Sequence, residues 1–144
     1  NKDGIFEDFK QGWENWSLRH NGTRMTYKFQ NPESCKKDDH KLVFQFNNEK
    51  QKVQLRLGAG SQHLGFRDMN RGRHYSVVKM LPQGKNQSLE ISLEDFNKNS
   101  KEKDLSWNCI SQFSLSLYDV ETKASIPLNG ESSGVQLKSI LWKK

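Results

Sequence analysis

The chain is 144 residues long, with 33% apolar, 28% charged and 10% aromatic residues, and one domain of that size buries roughly two thirds of its unfolded surface. Eight Phe, four Trp and three Tyr exclude a disordered chain, and the lack of any run of about 18 apolar residues excludes a membrane-spanning helix. Lys and Arg outnumber Asp and Glu by 23 to 17, a scattered excess of +6 that favours acidic partners without choosing among them.

Alternation with period two dominates the sequence, the mark of strands that bury one face. In chain order it predicts strands over Ile5 to Phe9, Met25 to Phe29, Leu42 to Phe46, Val53 to Leu57, Tyr75 to Leu81, Leu89 to Leu93, Phe113 to Leu117, Ala124 to Leu128 and Val135 to Trp142. Turn residues at Asn31 to Ser34, Gly58 to Ser61, Pro82 to Asn86 and Asn129 to Gly134 interrupt every candidate amphipathic helix. The expected fold is all-β, a two-sheet antiparallel β-sandwich. Long connections suit a jelly roll better than a barrel of tight hairpins. Its core should contain Phe44, Phe46, Leu55, Leu57, Leu89, Ile91, Leu93, Phe113, Leu115 and Leu117. Residues 1–144 read as a single domain, with no repeat and no linker. A start at Asn1, without Met or an apolar leader, suggests a piece of a longer or processed protein.

Specific enzyme signatures are missing: there is no phosphate-binding glycine loop, no dinucleotide fingerprint, no H-E-x-x-H and no G-x-S-x-G. The four histidines, His20, His40, His63 and His74, match no metal spacing. Cys35 and Cys109 either stay thiols or form one bridge, which would close a long loop and stabilise by about 3 to 5 kcal/mol. No catalytic residue is therefore assigned.

Polar strand faces carry more information. Gln45, Gln54 and Arg56 share outward parity on two strands expected to be neighbours, so their side chains are expected to converge. Amides and a guanidinium suit sugar hydroxyls or a sugar carboxylate, and Trp13 or Trp16 would supply a stacking ring at the rim. The densest basic segment, Arg67 to His74 with Arg67, Arg71 and Arg73, is the alternative ligand loop.

Several segments, taken in order, carry a family resemblance. Ile5-Phe6-Glu7-Asp8-Phe9 with Trp13 and Trp16 opens the chain, and Val135 to Trp142 closes it. Between them come Ser88 to Phe96, Asp104-Leu105-Ser106-Trp107-Asn108 and Ile110 to Leu117. This arrangement resembles carbohydrate-binding modules of the galactose-binding-like jelly-roll fold. The resemblance implies a non-catalytic module that binds a poly- or oligosaccharide, neutral or acidic, in an extracellular or periplasmic protein. It also implies a structural calcium held by an opening acid and a closing aspartate. Glu7 or Asp8 matches the first, whereas Lys138 and Ser139 stand where the second is expected, so an ordinary exposed role for Glu7 and Asp8 stays open. Two alternatives come from other classes. One is a β-sandwich that binds protein or, less in keeping with its aromatic-free loop, nucleic acid through Arg67 to His74. The other is a small jelly-roll enzyme.

Overall fold

The computed structural model describes residues 5–19, 23–28, 40–61, 73–98, 107, 110–128 and 134–143. They form β1 (Ile5–Glu7), β2 (Ser17–Arg19), β3 (Arg24–Lys28), β4 (Lys41–Asn48), β5 (Val53–Ser61), β6 (Arg73–Met80), β7 (Gly84–Ile91), α1 (Leu93–Lys98), β8 (Ile110–Asp119), β9 (Ala124–Ile126) and β10 (Val135–Lys143). No helix among the described residues is long and apolar enough to cross a membrane.

The strands form two antiparallel sheets. One has the order β1-β10-β4-β7; the other runs β2-β3-β8-β5-β6, with β9 also paired to β8. Their apolar faces meet over a single cluster in which Phe44, Phe46 and Ile140 of the first sheet pack with Met25, Leu55, Leu57, Phe113, Leu115 and Leu117 of the second. This is the sandwich that the alternation predicts, because strands with one apolar face bury it only against another such face. Of the expected core, Leu89 is partly buried and all the others are buried. Trp107 and Trp142 close one region of this core with ring centroids 5.1 Å apart, and the Trp107 indole N–H donates to the His40 carbonyl at 2.8 Å.

Three expectations need correction. Leu93 does not extend β7; the strand stops at Ile91 and Leu93 opens α1. The reason is local: the Asp95 carboxylate accepts the Ser92 backbone N–H at 2.8 Å and its hydroxyl at 3.3 Å, half of a capping box, which favours a helical turn over an extended chain. Residues Gly58 to Ser61 and Gly84 to Asn86 belong to strands and not to turns. Most important for function, β4 and β5 are not neighbours. The connection after Asn48 crosses from one sheet to the other and is fixed from several sides: Lys50 N–H to Asn48 Oδ1 (2.9 Å), Glu49 N–H to the Gly134 carbonyl (2.8 Å), and Val120 N–H to the Lys52 carbonyl (2.9 Å).

β6 is the edge of its sheet, and at Lys79 it carries a charge at core parity, in register with Leu55. The Lys79 ammonium reaches across the sandwich rim to the Asp95 carboxylate at 3.0 Å and the Glu90 carbonyl at 3.1 Å. An inward charge on an edge strand discourages pairing with another chain. Here it also ties the rims of the two sheets together.

Two expectations follow. Leu115→Ala, at a fully buried position of the central strand β8, should cost about 2 to 5 kcal/mol in urea unfolding, with an unchanged m-value. The second concerns acid. Burial raises the Asp95 pKa, but the Ser92 N–H and the Lys79 ammonium together outweigh it and hold the carboxyl below its ordinary value. Asp119 is depressed in the same way, burial opposing while the Thr122 N–H, Lys50 and the Glu121 N–H prevail, and Glu90 is depressed mainly by Lys143. A carboxylate with a lowered folded pKa contributes stability above its unfolded pKa, about 4, and loses it as pH falls through the folded pKa. Urea midpoints should therefore hold from pH 7 to about 5 and fall below about 4. In Asp95→Asn that acid-side slope should be shallower.

Candidate functional site

The short strand β1 leads into a loop whose shape is set by one side chain. A register shift between Ile5 and Glu7 turns Glu7 inward, and its carboxylate is buried. Its Oε2 accepts the Phe9 backbone N–H at 3.0 Å, and its Oε1 accepts the Trp16 indole N–H at 2.9 Å and the Asn15 amide at 3.4 Å. These bonds hold Phe9 at φ 54°, a left-handed conformation unfavourable for a bulky residue. The loop then turns through Gly12 at φ 63°, with Gly12 N–H on the Phe9 carbonyl and Trp16 N–H on the Trp13 carbonyl, each at 3.0 Å.

The result is a cluster of rings. Trp13 lies 4.7 Å from Phe9 and 5.3 Å from Trp16, edge-on to the latter. Phe6 anchors the cluster to the core, with Tyr27, Phe113, Trp142 and Trp16 around it at 4.9 to 6.2 Å. Trp16 is buried. Trp13 is only partly covered, and its indole N–H donates to the Leu128 carbonyl at 3.2 Å, which fixes the plane of the ring.

Trp13 and Phe9 form one wall of an open cleft of about 600 Å³. Its floor comes from the paired ends of β4 and β10, where Asn47 lies opposite Gln136. Glu49 and Lys85 bring opposite charges to it. Gly134 lines it at φ 82°, and a Cβ there would meet the Lys50 side chain at 3.2 Å. The polar groups divide into two sets. Asn47 is spent within the protein, donating to Gln136 Oε1 at 3.3 Å and accepting the Asn86 N–H at 2.7 Å. The Gln136 NH₂, the Glu49 carboxylate and the Lys85 ammonium have no side-chain partner among the described residues.

The residues named from sequence separate into different places. Gln45 lies on the outer face of the four-stranded sheet and accepts the Ser139 hydroxyl at 2.6 Å. Gln54 and Arg56 lie on β5, on the outer face of the other sheet, so the expected convergence with Gln45 does not occur. Gln54 and Arg56 do meet each other, Arg56 Nη2 donating to Gln54 Oε1 at 3.2 Å, and the guanidinium sits 4.5 Å above the Tyr118 ring. Trp16 is no rim platform, because its ring is in the core and its N–H is held by Glu7. Glu7 is not an exposed carboxylate, while exposed Asp8 accepts the Lys10 N–H at 3.1 Å in a local turn. No group of three or more His, Cys, Asp or Glu side chains suited to a metal occurs among the described residues. Arg67, Arg71, Cys35 and Cys109 lie outside the described residues, and Arg73 enters only as the first backbone position of β6.

Phe9, Asn47, Glu49 and Lys85 were not legible as site residues. They come from three separate segments whose meeting depends on the pairing of β4 with both β10 and β7. The one local signal was an acid two residues before Phe9 in an aromatic-rich stretch.

If Glu7 organises this wall, Glu7→Gln should be felt in both stability and ring packing. The amide retains an acceptor but turns an NH₂ toward one of three donors, at a cost of about 1 to 3 kcal/mol. Urea unfolding and the near-ultraviolet circular dichroism of the tryptophans should both change; a variant with wild-type values in both would contradict the role.

Comparison of the chain with protein-family models, with curated proteins and with solved structures finds no match, so a reading of function rests on the cleft and the two sheet faces.

Proposed function

We infer that this domain binds carbohydrate without transforming it, and that the sugar sits in the cleft against Trp13. The observation that carries the reading is the composition of that cleft. A fixed, partly open indole stands across from an unspent amide, a carboxylate and an ammonium group. A pyranose offers the complement: an apolar C–H face for the ring, and hydroxyls that both donate and accept. The volume falls within the range of small-ligand sites, about 300 to 1,000 Å³.

The lack of a second carboxylate supports binding over hydrolysis. Glycoside cleavage ordinarily takes two carboxyl groups flanking the bond, and among the described residues lining the cleft Glu49 is the one acid. The resemblance of the opening and closing segments to galactose-binding-like modules points the same way, and an extracellular or periplasmic location goes with it. β1 and β10, which carry those segments, are hydrogen-bonded neighbours.

A glycan array of neutral and acidic polysaccharides, followed by calorimetry on the best oligosaccharide, tests the proposal. A dissociation constant between about 1 µM and 1 mM is expected. Trp13→Ala should cost about 2 kcal/mol, a loss of roughly thirtyfold, while far-ultraviolet circular dichroism stays unchanged. Gln136→Ala should cost about 1 kcal/mol. Wild-type affinity in folded Trp13→Ala would refute the site.

A further inference from the structure

The outer face of the six-stranded sheet bears a second arrangement that the cleft does not use. Pairing aligns Arg56 of β5, Ser116 of β8 and Arg24 of β3 in one row across three adjacent strands. Their neighbours in sequence, Leu55, Leu57, Leu115, Leu117 and Met25, are buried, so the row itself points outward. Two strand spacings separate the arginines, about 9 to 10 Å, with a serine hydroxyl between them. No described residue at outward parity on this sheet is acidic, so among the described residues of this face no opposite charge offsets the two arginines.

The surroundings have a definite shape. On one side the next row is Ser76, Gly58 and Ser114, three small residues, and it ends at Thr26 of β3, which is buried. On the other side Tyr118 and Gln54 hold the Arg56 guanidinium from below and from the side, so its fork is set in place before any ligand arrives. At the β6 end Val78 and Met80 are about half exposed, at 47% and 48%, which is unusual for large apolar residues here and offers contact to C–H surface.

We propose that this face is a second binding surface, for a uronate-bearing saccharide chain lying beside this row of small residues with a carboxylate seated over Ser116 between Arg24 and Arg56. A planar guanidinium binds a carboxylate through two parallel hydrogen bonds, and two such groups flanking a hydroxyl make an anion site that a lysine pair would not reproduce. The choice of a saccharide rests on the carbohydrate reading above, although the surface lies on the opposite sheet from the floor of the cleft.

The test is calorimetry of the intact domain with an oligogalacturonate, the best neutral oligosaccharide, dextran sulfate and a single-stranded DNA of similar charge, each at about 50 and 200 mM salt. Oligogalacturonate should bind, more weakly at the higher salt. Arg24→Ala and Arg56→Ala should each lose at least tenfold, and Arg56→Lys should restore less than half of that loss while preserving packing on Tyr118. Trp13→Ala should lose the neutral sugar and keep oligogalacturonate, so the two sites fail independently. Wild-type oligogalacturonate affinity in both arginine variants, or no binding by the parent domain, would overturn the proposal. Tighter binding of dextran sulfate or DNA, lost in the same variants, would overturn it in favour of a sulfated or nucleic-acid ligand.

Discussion

Glu7 is a carboxylate placed where solvent scarcely reaches, and three donors meet it there. A buried polar group is tolerated only when its hydrogen-bonding capacity is filled, so once β1 pairs with β10 the following residues have little choice of path. Phe9 must bring its N–H back toward Glu7, and Trp16 must direct its indole inward. The segment between them is left with Trp13 as its outward ring. One buried side chain thereby decides which tryptophan belongs to the core and which belongs to the cleft.

The sandwich was readable because burial imposes alternation on each strand separately. Phe44 and Phe46, Leu55 and Leu57, Leu115 and Leu117 report their own parity, and no information about partners is needed to place them inside. Which strands are neighbours is a different kind of fact. Gln45, Gln54 and Arg56 have outward parity, yet β4 and β5, although joined by a short connection, lie in opposite layers. The bonds that commit that connection to crossing come from Gly134 and Val120, far away in sequence. The same limit hid Arg24 and Tyr118 beside Arg56, since only the position of β8 between β3 and β5 brings them to one surface. β2, three residues beside an aromatic loop, has too short a period to announce itself.

The two outer faces also differ in how they satisfy their polar groups. On the four-stranded sheet, Gln45 bonds to Ser139, Asn47 to Gln136, and Lys138 to Asn86 at 2.6 Å, while Glu90 gathers Lys41 and Lys143. Most of that face is engaged with itself, and such pairs near solvent contribute little to stability individually. On the six-stranded sheet Ser76, Ser114, Ser116 and Arg24 make no such side-chain bonds among the described residues. A surface that has already filled its hydrogen bonds must break them to accept a ligand, whereas an unfilled one gives up only water.

The pairing of Ile5 with Leu141 joins residues from the two ends of the described chain. Contacts of such wide sequence separation carry a large loop-closure entropy and tend to slow folding. The strands between β3 and β8 can assemble most of the core before that closure, but the aromatic wall hangs from β1 and the cleft floor comes partly from β10. The cleft is thus completed by a pairing of very wide sequence separation. A chain clipped of only its first strand would keep the pairing of its other strands and lose the aromatic wall of the cleft.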